Sequence, residues 1–197
     1  QTYLDIVRTV REAAPDIHIH AFSPLEIDQG AATLQLPVAR FLEMLKDAGL
    51  RSMPGTAAEV LDEGVRSILC PDKVTSQRWL DIMEQAHGVG LRSTATIMFG
   101  HVDDAPSWVR HWRQVVALQQ RTGGFTEVVP LPFVSAGAPI YRRGGSRPGP
   151  TWREALLMHA VLRLTLGHAI PNVQASWVKL GHQGALQMLS AGANDLG

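Results

Sequence analysis

Apolar positions along the chain switch repeatedly between a helical rhythm of three to four residues and a strand rhythm of two. Leu4, Val7, Val10 and Ala14 share one helical face, which stops at Pro15; Ile17, Ile19 and Ala21 then alternate with His18, His20 and Phe22. Pro37 opens a helix with the stripe Phe41, Leu42 and Leu45, Gly49 supplies its left-handed terminus, and a short strand follows over Leu50 to Met53. Thr75 or Ser76 caps a helix carrying Trp79, Leu80, Met83 and Ala86, closed by Gly88 and Gly90 before a β-rich run from Arg92 to Phe99. Asp104 and Pro106 open the next helix, through Val109, Trp112 and Val116, and the strand Phe125 to Val129 follows Gly123-Gly124. Thr151 and Glu154 form a capping box for a helix that stops at Gly167, and Ile170 to Ala175 reads as a strand. A last helix from Val178 to Ser190 and a short strand from Ala193 to Leu196 complete the series.

Helix and strand alternate roughly every 35 to 45 residues with no hairpin turn between strands, which predicts a parallel α/β sheet of βα units. A closed (β/α) barrel of the TIM type has eight strands and this pattern supplies about six, so the expected fold is a partial barrel lacking N-terminal units. An open doubly wound sheet is the rival, but no Gly-rich phosphate turn follows the first strand. The chain begins at Gln1 within a helical pattern and ends on Asn194-Asp195-Leu196-Gly197, so both ends read as truncations of a single core domain.

Composition narrows the function. With 18 basic and 18 acidic residues in 197, the chain has no basic footprint for nucleic acid or for a membrane surface, and no apolar stretch of spanning length. A cytoplasmic protein acting on small molecules is expected. The one cysteine, Cys70, excludes an internal disulfide and a thiolate metal cage, and reads as a small buried hydrophobe.

In a parallel barrel, ligands meet the C-terminal ends of the strands, so inward polar residues there are the candidates. Asn172, Gln174 and Ser176 share one face of their strand; a buried stripe of this kind needs partners, and a polar ligand or open solvent would supply them. His18 and His20 share a face as well. Core histidines are the commoner reading, and His20, nearer the strand's end, is the better candidate. Thr94, Thr96 and Met98 face together and lead to Gly100-His101, where a glycine permits close approach of a planar ring or simply turns the chain. Glu59, just past a strand end, can accept hydrogen bonds from hydroxyls or an ammonium group. Glu127 lies within a strand and requires either a partner or a place on the helix side of the barrel. The proline-rich run Val129 to Phe133 is expected to end its strand, and the tryptophans Trp79, Trp108, Trp112 and Trp152 read as packing residues on helices.

Several stretches in order resemble the radical S-adenosylmethionine family of deazaflavin (FO) synthesis and the futalosine pathway. They are His18-Ile19-His20-Ala21-Phe22-Ser23-Pro24, Pro54-Gly55-Thr56-Ala57-Ala58-Glu59, Thr94 to His101, Phe125 to Phe133, Asn172 to Gly181 and Gly192-Ala193-Asn194-Asp195. Ser176 to Gly181 and Pro130 to Val134 are most similar to the tyrosine-using half of FO synthase. The resemblance implies S-adenosyl-L-methionine and a 4Fe-4S cluster whose three cysteines lie upstream of this segment. It implies L-tyrosine and a ribityl-aminouracil as substrates, an electron donor, and a companion half, with no nucleic acid or membrane partner. By the same resemblance Glu59, Thr96, Met98, Gly100 and His101 bind the cofactor, while His20, Asn172, Gln174, Ser176, Lys179, Asn194 and Asp195 bind substrate. It names no catalytic residue and no metal ligand within the chain. A futalosine-pathway synthase and a non-catalytic barrel-like binding module are the alternatives.

Overall fold

The computed structural model describes residues 2–197. In chain order its elements are α1 (Tyr3–Ala13), β1 (Ile19–His20), α2 (Pro24–Thr33), α3 (Val38–Ala48), β2 (Leu50–Met53), α4 (Glu63–Leu69) and α5 (Ser76–Gly88). There follow β3 (Arg92–Phe99), α6 (Ala105–Thr122), β4 (Phe125–Pro132), α7 (Pro139–Arg142), α8 (Trp152–Leu166), β5 (Asn172–Val173) and α9 (Trp177–Ser190). Short-range chemistry fixes the helix starts. Thr2, Ser23, Asp104 and Thr151 each accept from the third helical N–H while the third side chain returns a bond, which satisfies two orphan groups at once.

The five strands lie in the order β1-β2-β3-β4-β5, every pair parallel. Ala95, Ile97 and Phe99 of β3, Val128 of β4 and Val173 of β5 point to one face, where they pack with Trp79, Met83, Val115, Leu118, Met158, Leu162 and Met188 from the helices. Ile19, Leu50 and Met53 pack likewise beneath α1, α2, α3 and α5. Burying each large apolar side chain contributes about 1.5–3 kcal/mol, so this one-sided core fixes which face every strand residue takes. The alternating residues Thr94, Thr96 and Met98 of β3 pair in register with Glu127, Val129 and Leu131 of β4 on the opposite, helix-free face. That face is the one a barrel would turn inward.

Several expectations change. The first and fifth strands are only two residues long, and the expected strand over Ala193 to Leu196 is a single parallel bridge from Gln174 to Asp195. The fourth strand runs through its prolines to Pro132, paired as Ile97 to Pro130 and Phe99 to Pro132. Phe133 donates to Phe99 O on the β3 side, so Pro130 and Pro132 turn their nitrogens to the β5 side, where β5 has already ended at Val173. No ladder bond is lost there, which is why proline is tolerated. Three helices, α2, α4 and α7, fall in segments with no expected element. Trp152 is 43% exposed and is not a core residue, whereas Trp79 is fully buried and donates to Thr56 O.

Candidate functional site

The loop after β2 is built from both sides. Gly55 N–H donates to Thr94 Oγ1 at 2.9 Å, and Thr96 Oγ1 donates back to Gly55 O at 2.6 Å. A side chain at Gly55 would lie 2.4 Å from Thr94 O, so the loop runs against the β3 backbone at a distance only glycine allows. Further on, the buried Arg66 of α4 donates to the carbonyls of Ala57 and Ala58, and to that of Val74 across the cleft. Met98 N–H donates to Glu59 O, and Leu61 N–H to His111 Nδ1. Held in this way, Ala57 and Glu59 sit at φ of 63° and 47°, a region L-residues enter only when surroundings dictate it.

The carboxylate of Glu59 pairs with Lys73 and keeps 15% exposure. It lines a cavity of about 250 Å³ with Met98 and the segment Leu69 to Lys73. Glu59 and Met98 are therefore brought together, as the sequence suggested. Thr96 is buried and its hydroxyl is spent on Gly55 O, so it shapes the loop and does not present a free donor. Gly100 has φ of 97°, and a Cβ there would fall 2.2 Å from Pro150 N; the close approach is made by the protein's own loop. His101 is buried as well. Val102 N–H donates to its Nδ1 at 2.7 Å, so Nε2 carries the proton given to Met98 O at 2.8 Å and the ring is neutral. Burial holds its pKa below the usual value, against the opposing pull of Asp103. Asp103 itself accepts from Gly100 N–H, His101 N–H and Trp108 Nε1, which locks the turn.

On the helix-free face a polar row crosses the sheet. His18 Nε2 and His20 Nδ1 both lie 2.7 Å from Ser52 Oγ, one able to donate and the other to accept. His20 keeps much of its surface open, and the partial loss of water around its ring, followed by the nearby His18, lowers its pKa. Next come Thr94 and Glu127, paired in register, and Asn172, paired with Glu127. Gln174 Nε2 donates to Glu127 Oε2 at 3.1 Å. Glu127 therefore lies on the inward face, and the helix-side placement is overturned. Burial, then the charge of Asp195, lifts its carboxyl to about 6, with the Gln174 bond opposing.

The amides have partners within the protein. Asn172 Nδ2 donates to Thr126 O and its Oδ1 accepts from Asn194, whose own Oδ1 accepts from Val173 N–H and Arg163. Asn172 and Asn194 thus tie β5 to the segment after α9. Asp195 bridges to Gln174 and accepts from Gly197 N–H. Ser176 occupies the N-cap of α9 without a side-chain cap bond, and exposed Lys179 lines a separate cavity of about 220 Å³ with Phe133, Pro150 and Trp152. Glu59 and Met98, Glu127 and Gln174, and Lys179 thus form three neighbourhoods; Arg66 and Asp103, which hold two of the turns, carried no recognisable pattern in the sequence.

Residues 122–197 match the family model described as the CofH/MqnC C-terminal region. Over 195 residues, 99% of the chain, it is 50% identical to an FO synthase of Streptomyces coelicolor, of which it covers 22%. Over the same length it is 49% identical to a 5-amino-6-(D-ribitylamino)uracil--L-tyrosine 4-hydroxyphenyl transferase of Methanopyrus kandleri, of which it covers 53%. The chain therefore spans about half the length of that transferase and under a quarter of the synthase. Among solved structures, methylornithine synthase superposes with a TM-score of 0.71 over 98% of this chain and 50% of its own, at 20% identity. That likeness shows the fold, an α/β arc of parallel βα units. The chain is thus similar along nearly its whole length to FO synthases and to tyrosine 4-hydroxyphenyl transferases, and over residues 122–197 to the CofH/MqnC C-terminal region.

Proposed function

We propose that the chain is the larger part of the core domain of a cytoplasmic radical S-adenosylmethionine enzyme that joins the hydroxybenzyl part of L-tyrosine to 5-amino-6-(D-ribitylamino)uracil, towards the deazaflavin FO. The observation that carries this reading is near-half identity across 99% of the chain to proteins named for that chemistry. An electron donor and a companion FO synthase half belong to the same proposal.

The 4Fe-4S cluster does not fit the residues present. Cys70 is the only cysteine, burial raises its thiol pKa, and no group of three metal-capable side chains occurs among the described residues. Its ligands belong to another part of the protein. S-adenosylmethionine fits better. The cavity between Glu59, the end of β3 and the segment Leu69 to Lys73 offers the Glu59 carboxylate to hydroxyl or ammonium donors and the Met98 side chain to an apolar surface. When bound, that cofactor supplies the 5'-deoxyadenosyl group for hydrogen abstraction from tyrosine. This chain's share is to hold Glu59 in place, to keep the His101 turn neutral and rigid, and to present the polar row to substrate.

The protein carrying this chain, reconstituted with S-adenosylmethionine, should release 5'-deoxyadenosine only when tyrosine is supplied, with ribityl-aminouracil consumed. Tyrosine-independent release, or turnover of a futalosine-type substrate instead, rejects the assignment.

A further inference from the structure

The level of Glu127 within the fold bears on which part of the substrate it meets. Strands β3 and β4 are eight residues long, whereas β2 ends at Met53 and β5 at Val173. Gly55, just past the end of β2, bonds to Thr94, and Gln174, just past the end of β5, bonds to Glu127. The Thr94–Glu127 rung is therefore level with the exits of its neighbours, and β3 and β4 rise above it as a wall. Immediately above, Thr96 and Val129 are buried, and Met98 and Leu131 beyond them are only half-buried. Inward positions of such barrels are commonly filled by branched apolar residues, so a carboxylate here is out of pattern.

Its bonding is also incomplete. A carboxylate offers about four acceptor sites, yet Glu127 receives one hydrogen bond, from Gln174 to Oε2; Oε1 receives none among the described residues. No Lys or Arg pairs with it among the described residues, and the nearest charge felt is Asp195, of the same sign. Such a group repels phosphate or carboxylate and accepts N–H donors.

Resting on the function proposed above, we propose that Glu127, oriented by Gln174, is the residue that accepts the ring and amino N–H groups of the aminouracil. The ammonium group of tyrosine has related donor chemistry, and separate titrations of the two substrates distinguish them.

Glu127→Gln keeps the shape and the bond from Gln174 but replaces one acceptor oxygen with a donor. In the full protein, calorimetric titration of 5-amino-6-(D-ribitylamino)uracil should show binding weakened roughly tenfold to a hundredfold, the range of a lost charge-assisted hydrogen bond, with tyrosine affinity unchanged. Gln174→Leu, which leaves the carboxylate but frees its orientation, should weaken the same titration by a smaller factor. Unchanged aminouracil affinity in a folded Glu127→Gln protein overturns the inference and leaves the function standing. Loss of tyrosine binding alone also overturns it, by assigning Glu127 to the ammonium group. Failure of the unaltered protein to bind the aminouracil rejects both.

Discussion

Arg66→Met tests whether the loop carrying Glu59 is held from beneath. Arg66 is 2% exposed and its guanidinium spans Ala58 O and Val74 O, with a longer bond of 3.4 Å to Ala57 O. No carboxylate pairs with it among the described residues, so these carbonyls are its principal partners. Each charge-assisted bond is worth about 1.5–3 kcal/mol, and a buried carbonyl left bare costs about 1–3. Val74 is half-buried and can recruit water, whereas Ala58 is fully buried and cannot. The expected loss is therefore about 3–5 kcal/mol. Ala57 and Glu59 add about 1–2 kcal/mol each of backbone strain that relaxes once the clamp is gone. Relaxation swings Glu59 away from Lys73 and from the cavity, so cofactor affinity should fall by more than global unfolding accounts for. Urea unfolding, limited proteolysis within residues 54–62 and equilibrium dialysis of S-adenosylmethionine measure the three effects in the full protein. Arg66→Lys, which keeps the charge but not the fork, should restore part of the stability. A loss below about 1 kcal/mol, with proteolysis and affinity unchanged, would refute the clamp.

Gly55→Ala should cost about 3 kcal/mol or more, because the new Cβ meets backbone atoms of Thr94 and Ala95, while Gly137→Ala, with nothing within 4 Å, should cost about 1 from its φ of 81° alone; similar denaturation midpoints for the two would contradict the packing argument. His87 should drive acid destabilisation. Burial, chiefly, and then Arg92 lower its pKa to about 4, and its ring bonds to Thr122 and Ser93. A depressed pKa means that the unfolded chain takes the proton first, so stability is full above about 6.5 and should fall by roughly 2 kcal/mol by pH 5; His87→Gln should flatten that slope, and an unchanged slope would exclude His87 as its source. Glu127 has the opposite sign. Its folded pKa lies above 4.5, so its contribution is present at low pH and lost as pH rises through about 6, and Glu127→Gln should gain about 1 kcal/mol at pH 7.5 after allowance for solvent screening. A stability loss at pH 7.5 would count against it.

The alternation of elements and every long helix were legible from caps and spacing: Thr75, Asp104 and Thr151 each open the helix that their sequence announces. Ser23-Pro24 with Glu26 carried the same signal for α2 and passed unread within a motif noted for its resemblance. Short strands were overestimated because apolar alternation continues beyond the hydrogen-bonded ladder, as around β1 and β5. The site was legible in part. Glu59 and Met98 do share a cavity, and the amide stripe, for which the sequence suggests a ligand or solvent, also bonds to Thr126, Asn194 and Glu127. Those partners are remote in sequence, and only the folded chain brings them within reach.

The misplacement of Glu127 has a specific physical cause. Phe125 packs in the helix-side core, stacked with Trp79, so strict alternation along β4 would put Glu127 beside it. Between Ser93 and Thr94 the register shifts: Ser93 pairs with Phe125, but Thr94 pairs with Glu127, leaving Thr126 as the extra residue. One inserted residue reverses the facing of everything after it, which moves Glu127 inward and Val128 to the core. A fold selected for stability alone has no reason to keep that irregularity, since it turns a half-buried carboxylate onto the inward face beside a like charge. Its persistence is intelligible if the carboxylate works there, and stability and binding give opposite responses to the same Glu127→Gln change. A structural carboxylate would lose both together; one retained for recognition loses affinity while the fold gains.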